Sequence, residues 1–381
     1  MPELTVVGWD GGALDDLEAS LIVGGERHLA ALGDTTAETL ALGDLATAIA
    51  RIKGHDGETV VLASGDPGFF GIVRALRRAG LAPRVVPAAS SVAHAFARLG
   101  LPWDDAVVVS AHGRDLRRAV NVCRAHRKVA VLTGPGAGPR ELAEALGGLP
   151  RRVIAACRLG TPDECLTAPE HAVEPNVAIV LGDVAPGPAG WIAGAPPGPS
   201  GWALPEPAFV HRDAMITKAE ARALALARLG PRTGDLVWDV GAGSGSVAVE
   251  CARFGAAAIA VERDADGCAR ITANAKAHDV DVQVVRGSAP EALAALPDPD
   301  AAFVGGGGPA VLDACLARRP ARVVAAFAAV ERVGHALSAF ATSGYQASGT
   351  QIQASRLTPL PNGEHRLAAT NPVYLAWGEL P

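Results

Sequence analysis

Residues Val237–Glu250, VWDVGAGSGSVAVE, constrain the fold more than any other stretch of the chain. An apolar run ends at Asp239. The backbone must then turn through Gly241, Gly243 and Gly245, and helical spacing follows at Val247, Ala248 and Cys251. That succession is a strand, a glycine turn and a helix N-terminus. Glycines let the chain adopt positive φ and let a ligand approach the backbone. The helix start offers unpaired N–H groups and a partial positive charge to an anion. A second apolar run, 257–261, ends at Glu262, which follows Gly241 by 21 residues. A carboxylate at about that distance is placed to accept hydrogen bonds from a ribose and would repel a ribose phosphate.

The spacing from Asp239 to Gly245 is Asp-x-Gly-x-Gly-x-Gly. In the dinucleotide fingerprint Gly-x-Gly-x-x-Gly the third glycine would fall on Ser246, so a pyrophosphate ligand fits poorly. A tight strand–helix turn that holds no ligand is the other reading of these residues. At 381 residues the chain has room for two or three domains, and 49% hydrophobic content supplies each with a core. A net charge of −6 disfavours nucleic acid as the main partner. The six cysteines lack C-x-x-C spacing, which predicts reduced thiols in a cytoplasmic protein and no metal site. No charged leader precedes an apolar block, and no apolar run reaches membrane-spanning length.

In the first half, short apolar runs alternate with helical spacing, which predicts an α/β domain. Glycine-bearing turns repeatedly follow the strands: Gly8–Gly12, Gly24–His28, Ser64–Gly71, His112–Arg114 and Thr133–Gly138. In open α/β sheets that edge binds ligands, although each turn alone also reads as loop punctuation. Arg117, Arg118, Arg124, Arg127 and Lys128 mark a basic helix, expected as a solvated face. Between Val184 and Pro207 seven prolines and two tryptophans, Trp191 and Trp202, indicate a semi-rigid linker. Beyond it, Thr217 with Glu220 fits a capping box for a helix running to Leu229. Four glycines, Gly305–Gly308, end a later strand and either admit a wide flat ligand or form a plain turn. Two late strands are expected at 346–354 and 372–377.

These stretches carry a resemblance. GGERHL (24–29), SGDPGFFG (64–71), ARLGLPWDDA (97–106), SAHGR (110–114) and LTGPGAGP (132–139) resemble the class III tetrapyrrole methylases of the cobalamin pathway. MITKAEAR, VWDVGAGSG, GSAPEAL (287–293), VGGGG and NPVYLAW (371–377) resemble the decarboxylating precorrin methyltransferases, a branch of the class I enzymes that use S-adenosylmethionine (SAM). The order is that of the fused C5,15-methyltransferases. The resemblance implies an N-terminal class III methylase of two α/β subdomains over 1–184, a linker over 185–208, and a Rossmann-like class I methyltransferase over 209–381. It implies methylation of a precorrin macrocycle at carbons 5 and 15, with decarboxylation of the ring-C acetate, in cobalamin biosynthesis.

One SAM per domain is implied. In the second domain Thr217, Asp239, Gly241, Ala242, Gly243, Ser244, Gly245, Glu262, Ser288 and Ala289 would hold it, with Asp239 near the ammonium group; in the first, Gly65, Asp66, Ser90 and Thr133. The substrate is a polycarboxylate, for which arginine is suited. Arg27, His28, His112, Arg114, Arg222, Arg356 and Arg366 are the candidate contacts, with Gly305 and Gly306 beneath the macrocycle. Lys218 and His365 are candidate proton donors for the decarboxylation. Self-association is implied, and no nucleic-acid or membrane partner. The turn Gly8-Trp-Asp-Gly-Gly12 departs from the family's smaller Gly-x-Gly-x-Gly. The alternatives are another tetrapyrrole substrate or a nucleic-acid amino-methyltransferase, suggested by Asn371-Pro-Val-Tyr374. That second motif belongs after the fourth strand of its domain, where this chain has Gly305–Gly308.

Overall fold

The computed structural model describes residues 3–12, 14, 17–183, 193, 198–212 and 216–381. The chain divides into two compact units, Met1–Leu116 with Lys128–Gly194, and Arg117–Arg127 with Ala195–Pro381. Of the expected linker, 185–192 and 194–197 lie outside the described residues, Trp191 among them.

The first unit holds two sheets. Strands β1 (Leu4–Trp9), β2 (Leu21–Gly24), β3 (Glu38–Ala41), β4 (Thr59–Ser64) and β5 (Arg84–Val86) form an all-parallel sheet in the order β3-β2-β4-β1-β5. Strands β2 and β4 are buried along most of their length, as continuous apolar runs in a parallel sheet should be. The second sheet has β6 (Val107–Ser110), β7 (Lys128–Leu132), β8 (Arg152–Cys157), β9 (Cys165–Thr167) and β10 (Asn176–Leu181), ordered β6-β7-β10-β8-β9. Only the β6–β7 pair is parallel there. Local signals place the helices. Asp44 caps the helix Leu45–Lys53 by accepting from Thr47 N–H at 2.8 Å. Ser90 caps Ser91–Leu99 by accepting from Ala93 N–H at 3.1 Å.

The second unit is built on β11 (Leu236–Val240), β12 (Ala257–Glu262), β13 (Gln283–Arg286), β14 (Ala301–Val304), β15 (Arg322–Phe327), β16 (Gln346–Ile352) and β19 (Val373–Glu379), with β17 (Ser355–Pro359) and β18 (His365–Ala369) as a separate hairpin. The sheet order is β13-β12-β11-β14-β15-β19-β16. The first five are parallel, and β19 runs antiparallel to both neighbours. From β11 the chain builds outward first to β12 and β13 and then to β14 on the opposite side, so the loop after β11 sits where the strand order reverses. Ligands bind at such switch points.

Two local expectations are corrected. The helix Ala219–Leu229 starts after Lys218, with no capping box. Its Ala219 N–H donates instead to Glu206 Oε1 at 3.0 Å, while Glu220 is drawn away to Arg356. The basic segment is not simply solvated, and its helix, Leu116–Ala125, ends before Arg127 and Lys128. Arg117 pairs with Asp300 at 2.7 Å, Arg127 with Asp279 at 2.8 Å, and Arg124 donates to Gln283 Oε1 at 2.9 Å, all within the second unit. No helix among the described residues is long and apolar enough to cross a membrane.

Candidate functional site

In the second unit, a cleft of about 890 Å³ opens at the C-terminal edge of β11, β12 and β14. Of the expected residues, Gly241, Gly243, Glu262, Ser288, Ala289 and Gly306 line it. The loop geometry explains why glycines stand there. Gly241 has φ +73, and a Cβ on it would lie 3.0 Å from the Gly306 backbone nitrogen. Gly305 is as constrained, with its Cβ position 3.2 Å from the Gly241 carbonyl. The loops after β11 and β14 therefore pass backbone against backbone. Gly243 (φ +58) and Gly306 face open space, so the cleft has a floor without side chains. Gly245, at φ +71, starts the helix Ser246–Arg253 and leaves room for Ile271, whose Cγ2 lies 2.8 Å from its Cβ position.

Glu262 ends β12 and ties two loops together. Its Oε2 accepts from Gly243 N–H and its Oε1 from Asp264 N–H, each at 2.9 Å. Each carboxylate oxygen keeps a second lone pair, so the group can still accept from a ribose hydroxyl. The backbone of Gly241 and Ala242 is fixed by donation to the Val261 carbonyl, at 3.0 and 3.2 Å.

Asp239 lies beneath this loop. It is fully buried, and its Oδ2 accepts from Ala248 N–H at 2.9 Å in the first turn of the helix. Burial pushes its carboxyl up to about 7, the charge of Glu262 adds to the rise, and the Ala248 hydrogen bond opposes it. Ser244 is also buried, and its carbonyl accepts from Asn274 Nδ2 at 2.8 Å. Neither is among the described residues lining the cleft; both shape the loop from behind.

One candidate substrate contact is corrected, and a second has its donors engaged within the protein. Arg222 is 0% exposed. Its Nε pairs with Glu250 at 3.2 Å, its other donors go to the carbonyls of Thr217 and Leu204, and its guanidinium lies 4.8 Å from the Phe209 ring centroid. No face of it is left for a ligand. Arg356 grips two carboxylates, Glu206 at 2.8 and 2.9 Å and Glu220 at 2.7 and 2.9 Å. Those contacts hold Glu206 down to about 2 and raise Arg356. It fastens the segment before the helix Ala219–Leu229 to the β17–β18 hairpin.

Lys218 directly precedes that helix without capping it through its side chain, and Thr217 contributes its carbonyl to Arg222. His365 and Arg366 are exposed on β18. None of these four is among the described residues that line the cleft. Four arginines that were not anticipated do line it: Arg212, Arg263, Arg270 and Arg332. Arg263 could have been found as the residue directly after Glu262. Arg332 lies past β15, with no motif to mark it. Asn371-Pro-Val-Tyr374 leads into β19, where Tyr374 pairs with Phe327 and Gln351, while Gly306–Gly308 after β14 line the cleft.

In the first unit the expected residues gather at strand ends. Gly8, at the end of β1, has its Cβ position 2.5 Å from the Gly65 carbonyl and 2.7 Å from Ala88 N. The loops after β1, β4 and β5 thus converge. Asp66 Oδ1 accepts from Gly68 N–H at 2.7 Å, and Ser90 caps its helix. On the second sheet, Thr133 Oγ1 donates to Asn176, 2.6 Å from its carbonyl and 2.7 Å from its side-chain oxygen. His112 Nδ1–H donates to the Thr133 carbonyl at 3.0 Å. Arg114 is exposed in the same turn. Arg27 and His28 both reach Ser64 at the end of β4.

A family model for tetrapyrrole (corrin/porphyrin) methylases matches residues 5–170, and one for the precorrin methyltransferase domain matches 208–375. The chain is 40% identical over 307 residues to a precorrin-6Y C(5,15)-methyltransferase [decarboxylating] of Sinorhizobium sp, covering 76% of this chain and 73% of the relative. It is 37% identical over 174 residues to a probable cobalt-precorrin-6B C(15)-methyltransferase (decarboxylating) of Pyrobaculum calidifontis, covering 42% of this chain and 86% of that one. A cobalt-precorrin-7 C(5)-methyltransferase of Salmonella typhimurium is 37% identical over 140 residues, 35% of this chain and 67% of the relative. With two methyltransferase family models side by side and a relative similar across both, the chain belongs to the decarboxylating precorrin-6Y C(5,15)-methyltransferase family.

Proposed function

We propose that the chain methylates a precorrin macrocycle at carbons 5 and 15 and decarboxylates its ring-C acetate, with one SAM bound per unit. The observation that carries this reading is the tandem of a tetrapyrrole methylase and a precorrin methyltransferase match in one chain, with a C(5,15)-methyltransferase relative similar over 76% of it. We assign carbon 15 and the decarboxylation to the second unit and carbon 5 to the first, as the separate C(15) and C(5) relatives suggest. The enzyme works in the cytoplasm and self-associates.

The residues present fit SAM in the second unit. Gly243 and Gly306 leave room for it against bare backbone, and Glu262 can accept from its ribose. SAM supplies an electrophilic methyl group, and the macrocycle supplies an electron-rich carbon. The protein needs no nucleophile of its own. Its work is to hold the two in line and exclude water. The side-chain-free floor at Gly306 suits a wide, flat substrate. Arg263 and Arg332 on the cleft wall suit its peripheral carboxylates. In the first unit Gly65, Asp66, Ser90 and Thr133 are the proposed cofactor contacts.

The test is mass spectrometry of the products from purified protein, SAM and precorrin-6B. Gain of two methyl groups with loss of one carbon dioxide is expected. A product with no mass change, from protein that still binds SAM, overturns the substrate assignment.

A further inference from the structure

Ser64 ends β4 and is exposed at the C-terminal edge of the first sheet. Its hydroxyl has two neighbours, His28 Nε2 at 2.9 Å and the guanidinium of Arg27. The tautomer of His28 follows from its other nitrogen. Nδ1 faces the Gly25 N–H at 3.2 Å, which can only donate. Nδ1 therefore accepts, and in the neutral ring the proton sits on Nε2. Burial and the charge of Arg27 keep the ring neutral, holding its pKa down at about 4. Both His28 and Arg27 thus donate to Ser64 Oγ. A hydroxyl oxygen has two lone pairs and one proton. With both lone pairs engaged, only the proton remains, and two donors, one of them cationic, make it a stronger donor.

Trp9 completes the arrangement. Its ring meets His28 edge-on at 5.2 Å, lies 6.0 Å from the Arg27 guanidinium, and is pinned by Nε1 donating to the Gly12 carbonyl at 2.6 Å. The bulky turn Gly8–Gly12 therefore holds a wall for this corner of the sheet edge.

We infer that the Ser64 hydroxyl and the Arg27 guanidinium form a carboxylate-binding subsite of the first unit, walled by Trp9, with His28 as a positioning residue that orients Ser64 and does not touch the ligand. The inference rests on the reading of the first unit as the C5 methyltransferase. The carboxylate is either the methionine carboxylate of SAM or an acetate or propionate of the macrocycle.

The full chain tests it through Ser64→Ala, Ser64→Thr and His28→Asn. The readouts are SAM binding by calorimetry and the KM for the precorrin in C5 methylation. The C15 reaction serves as an internal control for folding. Losing a hydrogen bond to a charged group should weaken one of the two constants about 10- to 100-fold in Ser64→Ala, with the C15 reaction unchanged and Ser64→Thr close to wild type. A shift in SAM affinity identifies the cofactor carboxylate; a shift in KM alone identifies the substrate's. His28→Asn should reproduce the Ser64→Ala defect, and the double variant should add nothing to it, which a merely structural histidine would not do. If Ser64→Ala matches a C5-active wild type in both constants, the subsite is refuted. A wild type that adds no methyl at carbon 5 refutes instead the reading beneath it.

Discussion

Replacing Arg222 by methionine separates a structural from a substrate-binding arginine. The side chain is buried with its carboxylate partner, and both show 0% side-chain exposure. Methionine fills much of the same volume but leaves Glu250 with a buried charge short of one donor. Leu204 N–H (2.7 Å) and Arg253 (3.1 Å) still donate to it, so the charge is not wholly abandoned. The carbonyls of Thr217 and Leu204 lose their donors as well. Breaking a buried pair from one side costs about 3–5 kcal/mol. For a unit of this size that lowers the melting temperature by roughly 6–20 °C. Calorimetry of the full chain reads the shift directly. Because removing both charges is often neutral or better, Arg222→Met/Glu250→Leu should recover at least half of the loss. An Arg222→Met protein that melts within about 2 °C of wild type but shows a raised precorrin KM would refute the reasoning and return Arg222 to the substrate.

Gly241→Ala should cost about 1–2 kcal/mol in backbone strain and press against Gly306; C15 methylation falls while C5 methylation persists, as product mass analysis would reveal. Glu262→Ala frees the Gly243 and Asp264 N–H groups and removes the proposed ribose acceptor, so SAM affinity of the second unit should drop about 10- to 100-fold by calorimetry. Asp239 has a folded pKa of about 7 against 3.8 for the free group, so the folded state holds the proton more tightly and stability falls as pH rises across that window. Asp239→Asn should flatten this dependence, and melting curves at pH 5 and pH 8 that shift equally in both proteins would contradict it.

Most of the parallel strands and their glycine turns were legible because each depends on a local signal. An apolar run, a residue that tolerates positive φ, or a capping side chain such as Asp44 or Ser90 suffices. The β3 strand and the β17–β18 hairpin were not legible. Their residues are mostly exposed, at a sheet edge or in a two-stranded hairpin, so no burial pattern is written into them. The fate of the arginines was equally hidden. Whether Arg222 meets a ligand or Glu250, 28 residues on, and whether Arg356 meets one or Glu206, 150 residues back, depends on which elements the sheet order brings together. Asp239 shows the same limit: the motif locates it beside the cofactor loop but does not tell that its carboxylate turns under the loop, to Ala248.

The contacts of Leu204 and Glu206 set where the second unit can be cut free. Leu204 gives its N–H to Glu250 and its carbonyl to Arg222, while Glu206 caps Ala219 and grips Arg356. A free-standing C15 enzyme that began at residue 209 would therefore start with a buried ion pair in which each member has lost a hydrogen-bond partner, an uncapped helix and an arginine missing half its partners. Gene fission that separated the two activities would keep these contacts only if the break fell upstream of Leu204, within the proline-rich stretch and not at its end.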